Sequence, residues 1–509
     1  TADRPFDLSL LLNVKDNLEN VEASIDATGQ FQYNSDNHNF GFEDVTTQLE
    51  LSIGGSPLPI ISLLSEGQWR PAQKAIVLNQ NDLRISTAHI TSSGVFSLRT
   101  STPSFDGVIN LETADPRQLS KDFDFSLPGR FLKLTADIAV SPTLVHMRTL
   151  EGRFDKSAFK GNATYEFSPM KVITADLRIN KLNISKNLNN PITTRSGSKT
   201  ATSKQTSALK NIEIIPLDLF QDTRFKTILR IDALSVANKE FRNSKFELRK
   251  NGENIDLVAN ATGYGGRIVL TAKTQLTGQV STKLQLTIDQ INISELADID
   301  SVTGELTANS EIRFNGSSLE QLSETIFGKS TFSIKNGTID VRPLKSVAKT
   351  IDSLTKRSSS VSQWADAESF KKMQGKHVFT NGLENGQIID ASVENILVTA
   401  LGGINLHDET LKYDITTTFK KIEGGKFRVS DQLSGIRWPL TCSGKISDSL
   451  TKLCFGKKEA IGQLVTNVLK QDLKRRGSMR IENLINEKVP DAYKNITKEL
   501  FKNFYKKSD

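Results

Sequence analysis

The side chains that most often carry catalysis or bind metals are few and scattered in this 509-residue chain. Its five histidines form no HxxxH or HExxH pair of the kind that zinc enzymes place on one helix face: His38, His89, His146, His377 and His407. Carboxylates are numerous, but no spacing pairs them for acid–base chemistry. The sequence therefore predicts a protein that is not an enzyme and that has no catalytic site, metal site or cofactor.

Two segments only partly match phosphate-binding loops. Ser196–Thr200 (SGSKT) lacks the first glycine of GxxxxGK[ST] and lies in a polar stretch. Gly263–Gly266 (GYGG) lacks the GxGxxG spacing and is flanked by strand patterns, which favours a tight turn or a bulge. A net charge of +7 is mild for this length and does not indicate a nucleic-acid partner.

The two cysteines lie close together in the sequence. Cys442 and Cys454 belong to a strand-and-turn pattern with no histidine nearby, so they are poorly suited to hold a metal. We predict a structural disulfide, which would indicate an oxidising compartment. Two unpaired buried thiols of a cytosolic protein are the alternative.

Apolar and polar residues alternate with period two along most of the chain, which is typical of half-buried strands. Three runs resemble one another: LRINKLNIS from Leu177, LRIDALSVA from Leu229 and LTIDQINIS from Leu286. In each run the alternation changes phase midway, which predicts a strand, a kink and a second short strand. If the similarity is not chance, the recurrence favours a long repeat-built sheet over a compact barrel.

Few segments depart from this pattern. Asn187–Asn211 is polar without an aromatic residue, which predicts a flexible loop. Helices are predicted over Leu344–Met373, interrupted at Ser358–Ser360, and over Ala460–Arg475 and Pro490–Lys507. These changes predict five regions: an N-proximal β-sheet region (1–186), a polar linker (187–211), a central β-repeat region (212–300), a C-terminal β module with a helical insertion (301–455) and amphipathic helices (456–509).

The predicted fold is mainly β: a long, curved, antiparallel sheet built from repeats, with a few α-helices toward the C-terminus. Such a sheet either packs its apolar face into a core or leaves it open as an apolar groove, and the strand pattern alone leaves both possibilities open. An open groove would suit acyl chains, since each buried methylene contributes about 0.8 kcal/mol. The candidate groove residues are Leu177, Ile179, Leu229, Ile231, Leu286, Ile288, Leu397 and Leu401.

Several stretches, in the same order along the chain, resemble the AsmA family of Gram-negative bacteria. They are Phe105–Gly129 with Leu150–Pro169, Ile215–Val236, Ala261–Leu276, and a C-terminal module of Val302–Val341, Phe379–Ile415 and Trp438–Cys454. The polar stretch around Ser196–Thr206 departs from the family pattern.

This resemblance implies a periplasmic body anchored in the inner membrane by an N-terminal helix, which we expect upstream of Thr1. The family is related to TamB and to bridge-like lipid transfer proteins, whose β-sheets have an apolar trough for phospholipid. The resemblance thus favours the groove, supports the disulfide, and implies phospholipid binding or transfer between inner and outer membrane. The implied partners are phospholipid acyl chains and, in the alternative reading, outer-membrane proteins assembled with the help of a periplasmic scaffold or chaperone.

The C-terminal helix is a candidate for membrane contact. Lysines recur beside aromatic residues there, a pattern that suits an anionic membrane surface. A helix docked on the sheet is the alternative. The candidate contact residues are Lys494, Lys498, Phe501, Lys502, Phe504 and Tyr505.

Overall fold

The computed structural model describes most of the chain up to residue 455 and single positions beyond it. The described residues are 4–16, 21–53, 56–99, 102–122, 129–167, 171–184, 223–297, 301–355, 360–384, 387–420, 427, 437–446, 448, 450–455, 466, 494–495 and 498–499. The predicted linker 187–211 and the predicted helix Ala460–Arg475, apart from Thr466, lie outside them.

The described residues divide into two units. Unit 1 comprises 4–184 and 223–259, and unit 2 runs from 260 onward. Strand β15 (Asn254–Gly263) contains the boundary. The prediction of a mainly β protein is confirmed, because strands make up most of both units.

Unit 1 is built from long strands joined mostly by short turns. They are β1 (Phe6–Asp16), β2 (Val21–Asn34), β3 (Asn39–Ile53), β4 (Ser56–Pro57), β5 (Ile61–Arg70), β6 (Ala75–Ile85), β7 (Ala88–Ser97), β8 (Ser104–Thr113), β9 (Leu132–Ser141), β10 (Leu144–Phe154), β11 (Ser157–Glu166), β12 (Lys171–Asn183), β13 (Thr223–Val236) and β14 (Lys239–Asn251). Helix α1 (Pro116–Asp122) lies between β8 and β9, and a single 3-10 turn (Pro71–Gln73) precedes β6.

The unit 1 strands form a meander in which sequential neighbours pair antiparallel from β1 to β12, with the short β4 beside β3 and β5 taking the next place in the sheet. Strands β12 and β13 pair in parallel, so the predicted antiparallel sheet is mixed at this point. Two of the recognised repeats form this pair in register, with Leu177 opposite Leu229 and Ile179 opposite Ile231. The regions on either side of the predicted linker therefore belong to one unit.

Unit 2 adds a second run of strands and most of the described helices. Its strands are β16 (Gly266–Gln275), β17 (Ser281–Asn292), β18 (Glu305–Asn315), β19 (Phe327–Asp340), β20 (Ala367–Thr380), β21 (Leu383–Glu384), β22 (Gln387–Val393), β23 (Ile396–Asn405), β24 (Thr410–Phe419), β25 (Arg437–Lys445) and β26 (Cys454–Phe455). Its helices are α2 (Ile293–Ala297), α3 (Leu319–Thr325), α4 (Arg342–Thr355) and α5 (Leu450–Leu453), with a 3-10 turn at Ser360–Gln363.

All the recorded pairings from β16 to β26 are antiparallel. The kink predicted for the third repeat is present, because the register of β17 against β18 shifts between Ile288 and Ile291. At this point Gln290 has a φ of 54°, and beyond it Ile291 is fully buried. The bulge thus lets apolar residues of opposite parity, such as Ile288 and Ile291, lie on the same face of the sheet.

The predicted helix over Leu344–Met373 is correct only in its first half. Helix α4 ends at Thr355, and the residues from Ala367 onward form β20. Phe370 and Met373 are three residues apart, which fits a helix, but they pair with Gly337 and Ile334 of β19. The backbone ladder between β19 and β20 overrides the local pattern.

Candidate functional site

Register places alternate apolar residues of the unit 1 strands on one face of their sheet. Directly paired residues on neighbouring strands share a face, so a row can be followed from strand to strand. One row reads Leu10, Ala27, Thr47, Leu63, Leu83, Ile90, Leu111, Leu134, Gly152, Phe159, Ile179 and Ile231. A second row reads Ile109, Ala136, Leu150, Gly161, Leu177 and Leu229. We call this surface, from β1 to β13, the unit 1 apolar face.

Large and small residues alternate across this face. Phe159, for example, is paired with Gly152. Three residues of β9 and β10 are buried by partly buried apolar side chains that pack against them: Ala136, Ile138 and Leu150. Larger residues such as Phe159 are only half-buried. The face is therefore packed within its own plane while its larger side chains stay accessible from above.

Four predicted groove residues lie together on the unit 1 apolar face. Leu177 and Ile179 of β12 pair with Leu229 and Ile231 of β13. Leu177, Ile179 and Leu229 are half-buried, whereas Ile231 is 1% exposed. Three of the four thus keep surface that a ligand could contact, and Ile231 contributes to the packing beneath them.

The face is most open at β1. Its apolar residues are between 44% and 53% exposed: Phe6, Leu8, Leu10, Leu12 and Val14. Phe6 stacks on Phe31 of β2, with ring centroids 6.0 Å apart. An open cavity of about 590 Å³ has Val14, Leu51 and Leu58 among its lining residues.

The opposite face of the same strands is charged. Arg148 donates to both carboxylate oxygens of Asp106 at 2.9 and 2.8 Å, and its Nε donates to Asp137 at 3.1 Å. The hydrogen bonds from Arg148 hold the pKa of Asp106 below its usual range. Arg178, next to Leu177, pairs with Asp232 at 3.0 Å. Strands β8, β9, β10, β12 and β13 thus have charged residues on the face opposite the apolar one.

One face of the unit 2 sheet is covered by the chain itself. Helix α4 contributes Leu344, Val347 and Ala348 to a core that also contains Trp364 and Phe419. Trp364 and Phe419 have ring centroids 5.7 Å apart. The packed-core alternative thus describes this part of the protein.

The predicted residues of unit 2 fall on two different faces. Leu286 and Ile288 pair with Ser310 and Ala308 and lie half-buried on the face that carries the core. Leu397 and Leu401 lie on the opposite face, since the alternate residues of β23, such as Ile396, are the ones that pack in the core. They are 39% and 53% exposed. Their assignment to the same groove as Leu286 is therefore wrong: period two identifies a face but not its side of the sheet.

A buried polar cluster that the sequence did not indicate lies in unit 2. The carboxylate of Glu384 is inaccessible to solvent and contacts His377 Nδ1. The hydroxyl of Tyr413 donates to its other oxygen at 3.2 Å. Burial and the negative Glu384 raise the pKa of Tyr413. His377 and Tyr413 are 36 positions apart in sequence, so only the fold brings these residues together.

The predicted disulfide is confirmed. Cys442 of β25 and Cys454 of β26 are directly paired, their Cα atoms 3.9 Å apart, and their sulfurs are bonded. Tyr413 of β24 lies opposite Cys442, and these residues belong to a small core with Leu453 of α5. The bond fixes the last described strand to the edge of the unit 2 sheet.

Of the membrane-contact candidates, Lys494 is half-buried and Lys498 is exposed, both in helical conformation. The other candidates lie outside the described residues: Phe501, Lys502, Phe504 and Tyr505. Among the residues that the structure describes, no helix is long and apolar enough to cross a membrane. The same residues contain no group of three or more His, Cys, Asp or Glu side chains placed to hold a metal ion.

Comparison of the chain with protein-family models and with curated proteins found no match.

Proposed function

We propose that this chain is a non-enzymatic carrier that holds phospholipid acyl chains on the unit 1 apolar face and passes them along it. The observation that supports this function is the row of mostly apolar residues from β1 to β13, with ion pairs on the opposite face of β8–β10, β12 and β13. A surface of this kind suits a long apolar ligand better than a small polar substrate.

The strength of such binding follows from area. A methylene removed from water contributes about 0.8 kcal/mol, so a chain of about 16 carbons that buries half of its surface gains about 6 kcal/mol before the costs of association. This gain needs no specific hydrogen bond, and the phospholipid headgroup stays in water beside the face.

Movement along the face follows from repetition. Neighbouring strands lie about 4.8 Å apart, and each presents leucine, isoleucine, phenylalanine or a small residue to the same side. An acyl chain that moves from one strand to the next exchanges one set of apolar contacts for an equivalent set. No bond chemistry is needed for this step.

The proposed setting is the periplasm, with transfer between inner and outer membrane and an inner-membrane anchor preceding the chain. The disulfide between Cys442 and Cys454 supports an oxidising compartment. The resemblance to the AsmA family supports the envelope setting and the class of lipid.

Photo-crosslinking in cells tests the proposal. A benzophenone amino acid at Leu177 should label phospholipid, while the same probe at Arg178, the next residue on the opposite face, should label much less. Organic extraction of the purified wild-type chain should also recover phospholipid. A lipid-free chain that instead binds unfolded outer-membrane barrel peptides would overturn the carrier in favour of the scaffold or chaperone.

A further inference from the structure

Strand β1 is an edge of the unit 1 sheet. Among the described residues its only strand partner is β2, which pairs along all of its 11 residues. No described strand pairs with the other side of β1, whose outward backbone N–H and C=O groups form a template for another strand. Proteins usually protect a long apolar edge strand from pairing with other chains, or use it for such pairing.

One residue of β1 is not explained by the unit 1 apolar face. Leu11 lies on the opposite side of the strand, with Asp7, Ser9 and Asn13, and its partner on β2 is Asp26. It is 66% exposed, the highest value among the exposed large hydrophobic residues of the described chain. A leucine among polar positions, on an edge strand that no second described strand pairs, points to a contact made across that edge.

We propose that β1 pairs antiparallel with β1 of a second copy of this chain, about a two-fold axis that passes beside Leu11. Each Leu11 then packs against Leu11 of the second copy. In an antiparallel pair, residues whose backbone groups point outward must face residues of the same kind, so odd positions meet odd positions. An axis at Leu11 satisfies this condition and brings apolar even positions together.

The side-chain pattern selects this register over its neighbours. With the axis at Leu11, Leu8 lies opposite Val14 of the second copy, Leu10 opposite Leu12, and Ser9 opposite Asn13. The same register sets acidic position 7 against basic position 15, twice by symmetry. An axis at Leu10 would set Leu11 against Ser9, and an axis at Leu12 would set it against Asn13.

This charge and shape self-complementarity is what favours a second copy over an unrelated strand. The pairing would extend the unit 1 apolar face of one copy into that of the other. The proposed pairing does not depend on a ligand of the unit 1 apolar face. It rests on the edge position of β1, on the exposure of Leu11 and on the order of residues in β1.

Variants of the full chain with one cysteine added to the native Cys442–Cys454 pair test the register. Leu11→Cys should form an intermolecular disulfide under mild oxidation, since directly opposed Cβ atoms lie about 4.5–5.5 Å apart. Ser9→Cys and Asn13→Cys should each fail alone, because the identical positions are about 13 Å apart along the strands. A mixture of these two variants should cross-link, because Ser9 opposes Asn13. Equal cross-linking by all three single variants, or none by Leu11→Cys, would overturn the register.

Sedimentation of the wild-type chain tests the pairing itself, and it should show a concentration-dependent dimer. Asp7→Lys should weaken the dimer roughly tenfold, because it sets like charges against each other at both ends, and adding Lys15→Asp should restore it. A wild-type chain that stays monomeric and instead binds extended peptides would overturn the second copy as occupant. Because these readouts measure association between chains and not bound lipid, they succeed or fail independently of the proposed carrier function.

Discussion

A double substitution on β12 and β13 tests whether the unit 1 apolar face binds a ligand or has only a structural role. Leu177 and Leu229 are parallel partners on the unit 1 apolar face and both are half-buried. We consider Leu177→Gln with Leu229→Gln, which keeps side-chain volume but puts amides among apolar neighbours. The matched control is Arg178→Gln with Arg230→Gln, at the next positions of the same strands and on the charged face.

The size of the effect follows from the surface involved. A fully buried leucine contributes about 1.5–3 kcal/mol, so a half-contacted one contributes about 1 kcal/mol to a bound acyl chain. Losing both leucines costs about 2 kcal/mol, which corresponds to roughly 30-fold weaker binding. The control variant loses its exposed ion pairs with Asp232 and Asp176, which are worth little to stability and lie away from the ligand.

The assay is displacement of a fluorescent fatty acid from the purified variants, with lipid content measured by mass spectrometry after extraction. Circular dichroism and thermal unfolding show whether each variant keeps its strands. The expected result is weaker binding and less lipid for the glutamine pair on the apolar face, with the control close to wild type. Equal loss in both variants at matched stability would refute the assignment of binding to this face.

Three further predictions concern the stability of the fold. Replacing Cys442 and Cys454 by serine should lower the free energy of unfolding by about 3 kcal/mol, measured by urea denaturation against the oxidised wild type, and an unchanged midpoint would contradict a structural role for the bond. The pKa of Tyr413 is raised in the folded chain, so as pH rises this hydroxyl ionises first in the unfolded chain. The stability that neutral, buried Tyr413 adds to the fold is therefore complete below the ordinary tyrosine pKa of about 10 and is lost as pH rises further. Tyr413→Phe should therefore flatten the fall in melting temperature above about pH 10, and a slope equal to that of the wild type would contradict this cause. Gly107→Ala should destabilise the chain by about 1–3 kcal/mol, because its new Cβ would clash with the Ser93 carbonyl oxygen of β7. A thermal midpoint equal to wild type would show that β7 and β8 can separate at no cost.

The strands of this protein are predictable because period two is a local property. The alternation predicts strands and the residues that share a face within each strand, as for Leu177 with Ile179. It does not specify which side of a sheet that face takes. Leu397 and Leu401 show the consequence: they alternate as regularly as the core residues of β23, but they lie on the other face.

Contacts between distant segments explain the remaining differences. The parallel pairing of β12 with β13 joins strands separated by residues 184–222, and no local pattern distinguishes it from an antiparallel pair. The cluster of Glu384, His377 and Tyr413 arises because β20, β21 and β24 come together in one sheet. Pairs of titratable residues that meet only through sheet topology leave no spacing signal in one sequence.

The contrast between the two units follows from what connects their strands. Between the end of β19 at Asp340 and the start of β20 at Ala367, unit 2 inserts α4 and the segment that carries Trp364, and these residues cover the apolar face. In the described part of unit 1, most connections are turns, and α1 is the only α-helix. Because a connection of a few residues has no apolar side chains to spare, it cannot cover the rows that it joins. The described connections of unit 1 therefore leave its apolar face accessible, and this is the surface that the proposed acyl chains would cover.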